Sequence, residues 1–388
     1  MGEKLRVSKW KSILFVLVLS TACLLLLEVT SRLLAFVAYG FSPYYLVYGF
    51  VGGYFEGKEG HNTAYDGYFK FPPSRTLHQY GLFHEATPIR INNLGYRGRD
   101  LAPTKDEATF RVVCMGGSST FGFYNRDDHT YPALLQERLR ERLAEQSIEV
   151  LNAGIPHSTS YNILAMLDKE ILLRYKPNVV TFYEAFNDAG NVFDESWIQA
   201  AGRWAHGHVA TYVALKRVVE AAGGPILHSR WAGYLPRSTA DYVRRQIELH
   251  RELYDRNIRA LVRDARQAGA QLVLIRQPMT TKQSHDHPHG PPDRFLTYEG
   301  EVQWIRNNLS RHGWVSSIEA LMLVHHALIT VLDRVAEQEH ARVVDNITIV
   351  NQHPEFFASY VHLSEVGNAA LAEALSEVIV PLVEQSGR

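Results

Sequence analysis

Five short apolar runs separated by helical patterns are the feature that most constrains the fold of this chain. The runs are residues 110–115, 148–152, 179–183, 271–275 and 341–345. Between the first two, residues 133–146 place Leu135, Leu139 and Leu143 on one helical stripe. Continuous apolar strands joined by helices favour a parallel sheet that is covered on both faces. With right-handed crossovers, this pattern predicts an α/β fold, a three-layer α/β/α sandwich.

The N-terminus predicts a membrane anchor. A basic flank, residues 1–12, precedes an uncharged apolar run from Ile13 to Leu27. The apolar pattern resumes after Glu28 and Arg32, which can pair at i,i+4 on a helix. We therefore expect a transmembrane helix over 13–38, with the flank in the cytoplasm and the rest of the chain on the other side.

Two other interpretations of the N-terminus are a cleaved signal peptide and a lipoprotein signal that ends at Cys23. Both also keep the basic flank in the cytoplasm. Neither requires an uncleaved helix.

The remaining chain is predicted to contain one domain. Residues 39–105 are interpreted as an extended entry segment, in which residues 90–100 form a short strand and a turn centred on Gly95. The domain itself would span 106–388 and close with a C-terminal helix. Two long intervals, at about 190–268 and 280–338, are interpreted as helical insertions that form a cap over one end of the sheet.

Composition excludes some classes of function. The formal net charge is −1, which gives no general attraction to nucleic acid. The two cysteines have no zinc-site spacing. The loop His285–Gly290 alternates histidines and can bind metal, but a solvated loop is the simpler interpretation, so no metal and no cofactor are predicted.

Polar segments follow the first three strands, and a fourth precedes the last helix. They read GGSSTFG, NAGIPHSTS, EAFNDAG and VHLSEVGN. Acyl transfer needs a hydroxyl nucleophile, a base, and donors that face the developing oxyanion. Ser118 can be the nucleophile, His362 the base, and the N–H of Gly154 and the amide of Asn187 oxyanion donors. Each segment alone is also compatible with a turn or a helix cap.

Together, these four segments resemble the four blocks of the SGNH (GDSL-type) hydrolases. The resemblance implies a flavodoxin-like sandwich and carries the same roles to Ser118, Gly154, Asn187 and His362. The family pattern usually has Asp three residues before the histidine, where this chain has Ser359.

Two smaller departures from the family pattern are Gly117, where the short motif has Asp, and Ala185, where block three has Gly. Asp345 and Glu355 are the nearest acids that could take over the role of the missing aspartate.

The sequence therefore predicts a membrane-anchored serine esterase or O-acyl hydrolase that acts on an ester of a glycan or a lipid. An O-acyltransferase with the same site is an alternative, since both use the same residues. A non-catalytic binding or scaffold protein that keeps the fold is a third. Contact between His362 and Ser118, and a carboxylate on the far ring nitrogen, would distinguish an enzyme from a scaffold.

Overall fold

A computed structural model describes residues 9–38, 67–68, 70–71, 73–78, 88–190, 211, 238–282, 284, 287–292 and 296–386. Helix α1, Lys9–Ala38, belongs to one unit of the chain, and the elements that follow belong to a second unit.

The second unit alternates strands and helices along the described chain. Its strands are β1 Arg75–His78, β2 Pro88–Ile91, β3 Thr109–Gly116, β4 Ser147–Gly154, β5 Val179–Tyr183, β6 Ser238–Thr239, β7 Gln271–Ile275, β8 Trp314–Val315 and β9 Arg342–Val344. Its helices are α2 Ser118–Phe121, α3 Tyr131–Arg142, α4 Ser160–Met166, α5 Phe186–Gly190, α6 Ala240–Gln267, α7 Tyr298–His312, α8 Ser317–Glu339, α9 Asn346–Val350 and α10 Glu365–Ser386. Helix α4 continues as a π-helix over Leu167–Tyr175.

The five predicted strands form one parallel sheet with the order β4-β3-β5-β7-β9. In the order of the chain this is 2-1-3-4-5, the flavodoxin-like arrangement. Val112 on β3 lies opposite Val150 on β4 and Val179 on β5. The predicted α/β fold class is confirmed.

Alternate side chains of the strands pack into two cores, one on each face of the sheet. On one face, Val112 and Cys114 pack with α3 and α10. On the other, Val113 and Met115 pack with α4, α6 and α8. The predicted stripe on α3 faces the first core, with Leu135 and Leu139 fully buried. These helical layers on both faces are the three layers expected from the sequence.

The long helices α6 and α8 differ from the sequence interpretation. They were expected to belong to a cap, but they lie on a face of the sheet. Tyr254 of α6 packs against Phe182 of β5, with ring centroids 6.3 Å apart, and its hydroxyl donates to the Glu184 carbonyl at 2.6 Å. Both helices are crossover connections, α6 from β5 to β7 and α8 from β7 to β9. The remainder of the first interval, residues 191–237 apart from Thr211, lies outside the described residues.

The segment before the domain also contributes to its core. Strand β2 pairs with β1, and Gly95 forms the predicted turn at φ +84°, where a Cβ would collide with the Phe71 carbonyl. Ile89 and Ile91 are fully buried. This part of 39–105 therefore belongs to the packed domain, and residues 39–66 lie outside the described residues.

Arg97 attaches this segment to the turn that follows β3. Its side chain is completely buried and pairs with Asp127 at 2.8 Å. It also donates to the carbonyls of Phe121, Gly122 and Asn125 at 2.7–3.0 Å. A buried guanidinium requires such partners, because it stays charged in proteins.

Helix α1 contains a 21-residue apolar stretch, Leu14–Leu34, with mean hydropathy 2.2 and no burial. Glu28 and Arg32 form the predicted ion pair at 2.8 Å. Helix α10 is also apolar enough to span a membrane, but half of its most apolar window is buried, as in the core helix of a soluble domain. Length and composition make α1 a candidate for an anchor or a signal sequence.

We expect Arg97→Met to destabilise the domain by about 3 kcal/mol or more, because four buried or part-buried acceptors lose their donor. Urea unfolding of the purified protein measures this. The control is Arg90→Met, which breaks an exposed ion pair with Asp100 and should cost less than about 1 kcal/mol. Equal effects of the two variants would contradict the role given to Arg97.

Candidate active site

The carboxyl ends of the strands bring the sequence-predicted residues to one edge of the sheet. Ligands of such sheets bind where the strand order reverses, here between β3 and β5. Ser118 directly follows β3, and Asn187 follows β5. Gly154 ends β4, and His362 lies in the loop before α10. The topology therefore concentrates all four residues at this edge.

Ser118 and His362 are in direct contact. Ser118 Oγ lies 2.8 Å from His362 Nε2, although the two residues are 244 positions apart in the chain. The loop holds the histidine through a hydrogen bond from the Ala358 N–H to the His362 carbonyl at 2.8 Å. This is the geometry of a hydroxyl and its general base.

Ser359 occupies the position of the missing aspartate. Its Oγ lies 2.7 Å from His362 Nδ1. Asp345 instead caps α9 and pairs with Arg276 at 2.8 Å, and Glu355 pairs with His353. The partner of the far ring nitrogen is therefore a neutral hydroxyl. The contact with Ser118 expected of an enzyme is present, whereas the carboxylate is replaced by Ser359.

His362 is buried, and this changes its acidity. Desolvation, together with the nearby His157, lowers the pKa of His362 from 6.5 to about 3. Burial disfavours the charged imidazolium when no carboxylate compensates it. The ring is therefore neutral at neutral pH and can accept a proton from Ser118.

Ser119 has a different environment from its neighbour Ser118. Its side chain is buried, and Ser119 Oγ donates to the Val361 carbonyl at 3.3 Å. It accepts from the Gln277 side chain at 3.1 Å. A hydroxyl with both roles occupied inside the protein has a structural function, in agreement with the choice of Ser118.

Gly154 has a packing role in the structure. Its N–H donates to the Asn152 side chain at 3.0 Å. A Cβ at this position would collide with the backbone of Thr120 and Phe121 in α2. The close approach that requires glycine at this position is to the backbone of α2.

Asn187 lies beside the nucleophile turn with its amide engaged. Asn187 Nδ2 donates to the Ser158 carbonyl at 3.0 Å and to Glu184 Oε2 at 3.1 Å. A Cβ on Gly117 would collide with both Glu184 and Asn187. This explains the departure from Asp at position 117, because the carboxyl of Glu184, which follows β5, already fills that space.

A model of the GDSL-like lipase/acylhydrolase family matches residues 114–370. The chain belongs to this family. It is therefore a carboxylic ester hydrolase of GDSL type, and the resemblance inferred from the four sequence blocks is confirmed. No curated protein matches the chain significantly.

Solved structures to which this chain is similar include several lipases and esterases. A lipolytic protein of the G-D-S-L family from Desulfitobacterium hafniense DCB-2 is 16% identical, with 69% of this chain and 98% of that chain covered and a TM-score of 0.39. A lipase/acylhydrolase from Enterococcus faecalis is 16% identical (70% and 95% covered, TM-score 0.40). An acetylxylan esterase from Geobacillus stearothermophilus is also 16% identical (71% and 94% covered, TM-score 0.40).

Gln277 is a residue of this GDSL hydrolase that the sequence interpretation missed. Its Oε1 accepts from the N–H groups of Ala185 and Phe186, both at 2.8 Å, and its Nε2 donates to Ser119. Ser119 in turn donates to Val361, next to the histidine. One buried amide therefore connects the loops that carry Ser118, Asn187 and His362. Its position two residues after β7 is the only sequence signal for it.

Two further residues near His362 were also missed. His157 has a left-handed backbone, φ +64°, and is exposed. Tyr124 is likewise left-handed, at φ +73°, and its ring centroid lies 5.1 Å from that of His362. Such backbone conformations are uncommon outside glycine and cluster at functional sites.

The histidine loop does not show a metal centre among its described residues. His285 lies outside them. His287 contacts the Thr281 carbonyl at 3.0 Å, and His289 stacks on His312. No cluster of potential metal ligands occurs in the described part of the chain.

We expect Gln277→Met to lower kcat on an aryl acetate by about tenfold to a hundredfold with little change in KM, because small displacements of reacting groups are costly. The matched control is Gln136→Met, which removes a buried glutamine bonded to the β4 backbone away from the site. Comparable losses of kcat per folded molecule in both variants would contradict a positioning role for Gln277.

Proposed function

We propose that this GDSL hydrolase is a serine esterase that works through an acyl-serine intermediate on Ser118. His362 Nε2 takes the Ser118 proton as Oγ attacks the ester carbonyl, and returns it to the leaving alcohol as the tetrahedral intermediate collapses. Water then repeats the sequence, with His362 as base, and releases the acid.

The observation that carries this proposal is the 2.8 Å contact between Ser118 Oγ and His362 Nε2. It pairs a hydroxyl with a base whose buried ring is neutral at neutral pH. The engagement of Ser119 by Val361 and Gln277 supports the choice between the two serines.

We assign the oxyanion donors to the Ser118 N–H, at the start of α2, and the Asn187 amide, which would exchange one of its two present acceptors, the Ser158 carbonyl and Glu184, for the oxyanion. First-turn N–H groups of a helix have no intrahelical acceptor. Burial and the nearby Asp188 raise the pKa of Glu184 well above its usual range, so this carboxyl adds little negative charge beside the oxyanion. Gly154 supports the hole by letting β4 pack against α2.

The substrate in this proposal is a small acyl ester on a glycan or a lipid on the outer side of a membrane. The apolar stretch Leu14–Leu34 and the basic residues before it support an uncleaved anchor with a cytoplasmic N-terminus.

Mass spectrometry of the purified protein should recover a peptide that contains Lys11. A mature N-terminus at or after Cys23 would contradict the anchor.

Labelling with a fluorophosphonate tests the nucleophile without knowledge of the substrate. We expect Ser118→Ala to abolish labelling and Ser119→Ala to retain most of it, because only Ser118 contacts the base. Labelling that survives in Ser118→Ala would refute the assignment.

The pH dependence of kcat/KM tests the electrostatics of the base. His362 must be neutral to act. Its pKa of about 3 predicts that kcat/KM does not fall with decreasing pH between about pH 8 and 5, where an ordinary histidine titrates.

Ser359→Asp adds a carboxylate that favours the imidazolium. We expect this variant to be faster at neutral pH and to lose activity as pH falls through its raised histidine pKa.

The control for this experiment is Ser359→Asn, which adds no charge and should keep the flat profile. A wild-type inflection near pH 6.5 would show that His362 is solvated and that the proposed electrostatics are wrong.

A further inference from the structure

The side-chain amide of Asn187 needs a restraint if it is to act as an oxyanion donor. Such a donor works only when it is oriented before the negative charge develops. Asparagine does not fix this orientation by itself, because its χ2 torsion is broad and its amide can present either the oxygen or the nitrogen to a neighbour. Some neighbour of Asn187 must therefore keep Nδ2, and not Oδ1, towards the reacting ester.

Two acceptors lie beside Asn187 Nδ2. They are the Ser158 carbonyl at 3.0 Å and Glu184 Oε2 at 3.1 Å. An amide nitrogen carries two donor hydrogens, so each acceptor takes one of them. When an oxyanion takes one hydrogen, one acceptor has to give way, and the other then holds the amide in place.

Glu184 holds Asn187 at two points. Its Oε1 accepts from the Asn187 backbone N–H at 2.6 Å, and its Oε2 accepts from Nδ2 of the same residue. One carboxyl thereby bridges the main chain and the side chain of Asn187, which restrains the side-chain torsions between them. Ser158 lies on another segment, the loop after β4, and contacts the amide through its carbonyl. The contacts to Glu184 are therefore the ones that set the orientation of the amide.

The surroundings leave Glu184 little freedom to move. Its carbonyl accepts from the Tyr254 hydroxyl at 2.6 Å, and the next two N–H groups of the chain donate to the Gln277 side chain at 2.8 Å. The residue is buried, with 1% of its surface exposed. Its carboxyl fits against the start of the nucleophile turn because position 117 is glycine, where a Cβ would lie 2.2 Å from Oε2. A carboxyl held in this way is a fixed reference for the amide.

We propose that Glu184 is a positioning residue that orients the Asn187 amide towards the oxyanion. Glu184 keeps its hydrogen bond to Nδ2, and the hydrogen that now points to the Ser158 carbonyl is the one that the oxyanion takes. Glu184 forms no covalent bond and passes on no proton during turnover. The proposal rests on the proposed function, in which Asn187 is an oxyanion donor.

The first test is Glu184→Gln, which keeps the size of the side chain but replaces one accepting oxygen by an amino group that only donates. In either orientation of the new amide, a donor then faces the backbone N–H or Nδ2 of Asn187. We expect kcat on an aryl acetate to fall by about tenfold to a hundredfold with KM within about twofold, since loss of a whole oxyanion donor costs 10²–10³. Wild-type kcat in this variant would overturn the proposal.

The matched control is Glu319→Gln. Glu319 is also buried and accepts a backbone N–H three residues away, that of Ser316 at 2.8 Å, at the start of α8. Its other oxygen contacts His287 at 3.3 Å. Reaction with a fluorophosphonate to completion counts the folded molecules in each preparation, and we expect kcat per folded molecule to change less than twofold. Equal losses in Glu184→Gln and Glu319→Gln would contradict a specific role for Glu184.

A double-mutant cycle separates positioning of the amide from a structural role. Asn187→Ala removes the donor and should lower kcat by about 10²–10³. Adding Glu184→Gln to Asn187→Ala should change kcat less than about threefold, because Glu184 then has no amide to orient. The same loss in both backgrounds would show that Glu184 acts independently of Asn187 and would overturn the proposal. Wild-type kcat in Asn187→Ala would instead overturn the oxyanion role in the proposed function.

A crystal structure of the adduct between Ser118 and a fluorophosphonate tests the geometry directly, since its phosphonyl oxygen stands for the oxyanion. We expect this oxygen within about 3.2 Å of Asn187 Nδ2, with Glu184 Oε2 still bonded to Nδ2 and the Ser158 carbonyl released. An adduct in which Asn187 releases Glu184 and keeps Ser158 would overturn this inference alone. Failure of the wild type to label at Ser118 would overturn the proposed function.

Discussion

The arrangement of the candidate active site depends on the burial of one guanidinium, that of Arg97. Arg97 comes from a segment that precedes the sheet in sequence, yet its side chain is completely enclosed and donates to three carbonyls of the turn that follows the nucleophile. Its charge cannot be removed by deprotonation, so the fold must supply acceptors, and Asp127 completes the set. The turn over 121–125, which follows Ser118 in the chain, is thereby held in place.

The low pKa of His362 follows from its burial without a charged partner. His362 is buried with a neutral hydroxyl on its far nitrogen, and its pKa falls to about 3. A weak base is available at every physiological pH but drives proton abstraction less strongly than one near neutrality. Glu184, the carboxyl closest to Gly117 and Asn187, has a raised pKa for the same reason, burial. In the proposed mechanism, the site therefore carries little charge before reaction, and charge develops in the transition state.

The differences between the sequence interpretation and the structure have physical causes. Gly154 was selected because glycine permits a close approach; the sequence does not say which group approaches, and in the structure the backbone of α2 does so. The helices α6 and α8 were interpreted as a cap because their intervals exceed the length of a simple crossover. Their apolar stripes fit a sheet face equally well, and only the packing of Tyr254 on Phe182 distinguishes the two arrangements. Gln277 was missed because an isolated glutamine after a strand has no pattern of its own.

The sequence by itself determined the layers, the strands and the meeting of four segments at one edge of the sheet. These follow from local rules, since apolar periodicity defines the elements and parallel strands bring their carboxyl ends together. The contact between Ser118 and His362 could be predicted from the four blocks, because their order and residue types restrict the chemistry. Only the tertiary structure decided that Ser359, rather than Asp345 or Glu355, meets the far nitrogen, and that Arg97 and Gln277 hold the loops of the site. Those contacts depend on side-chain geometry and desolvation, neither of which leaves a periodic signal in the sequence.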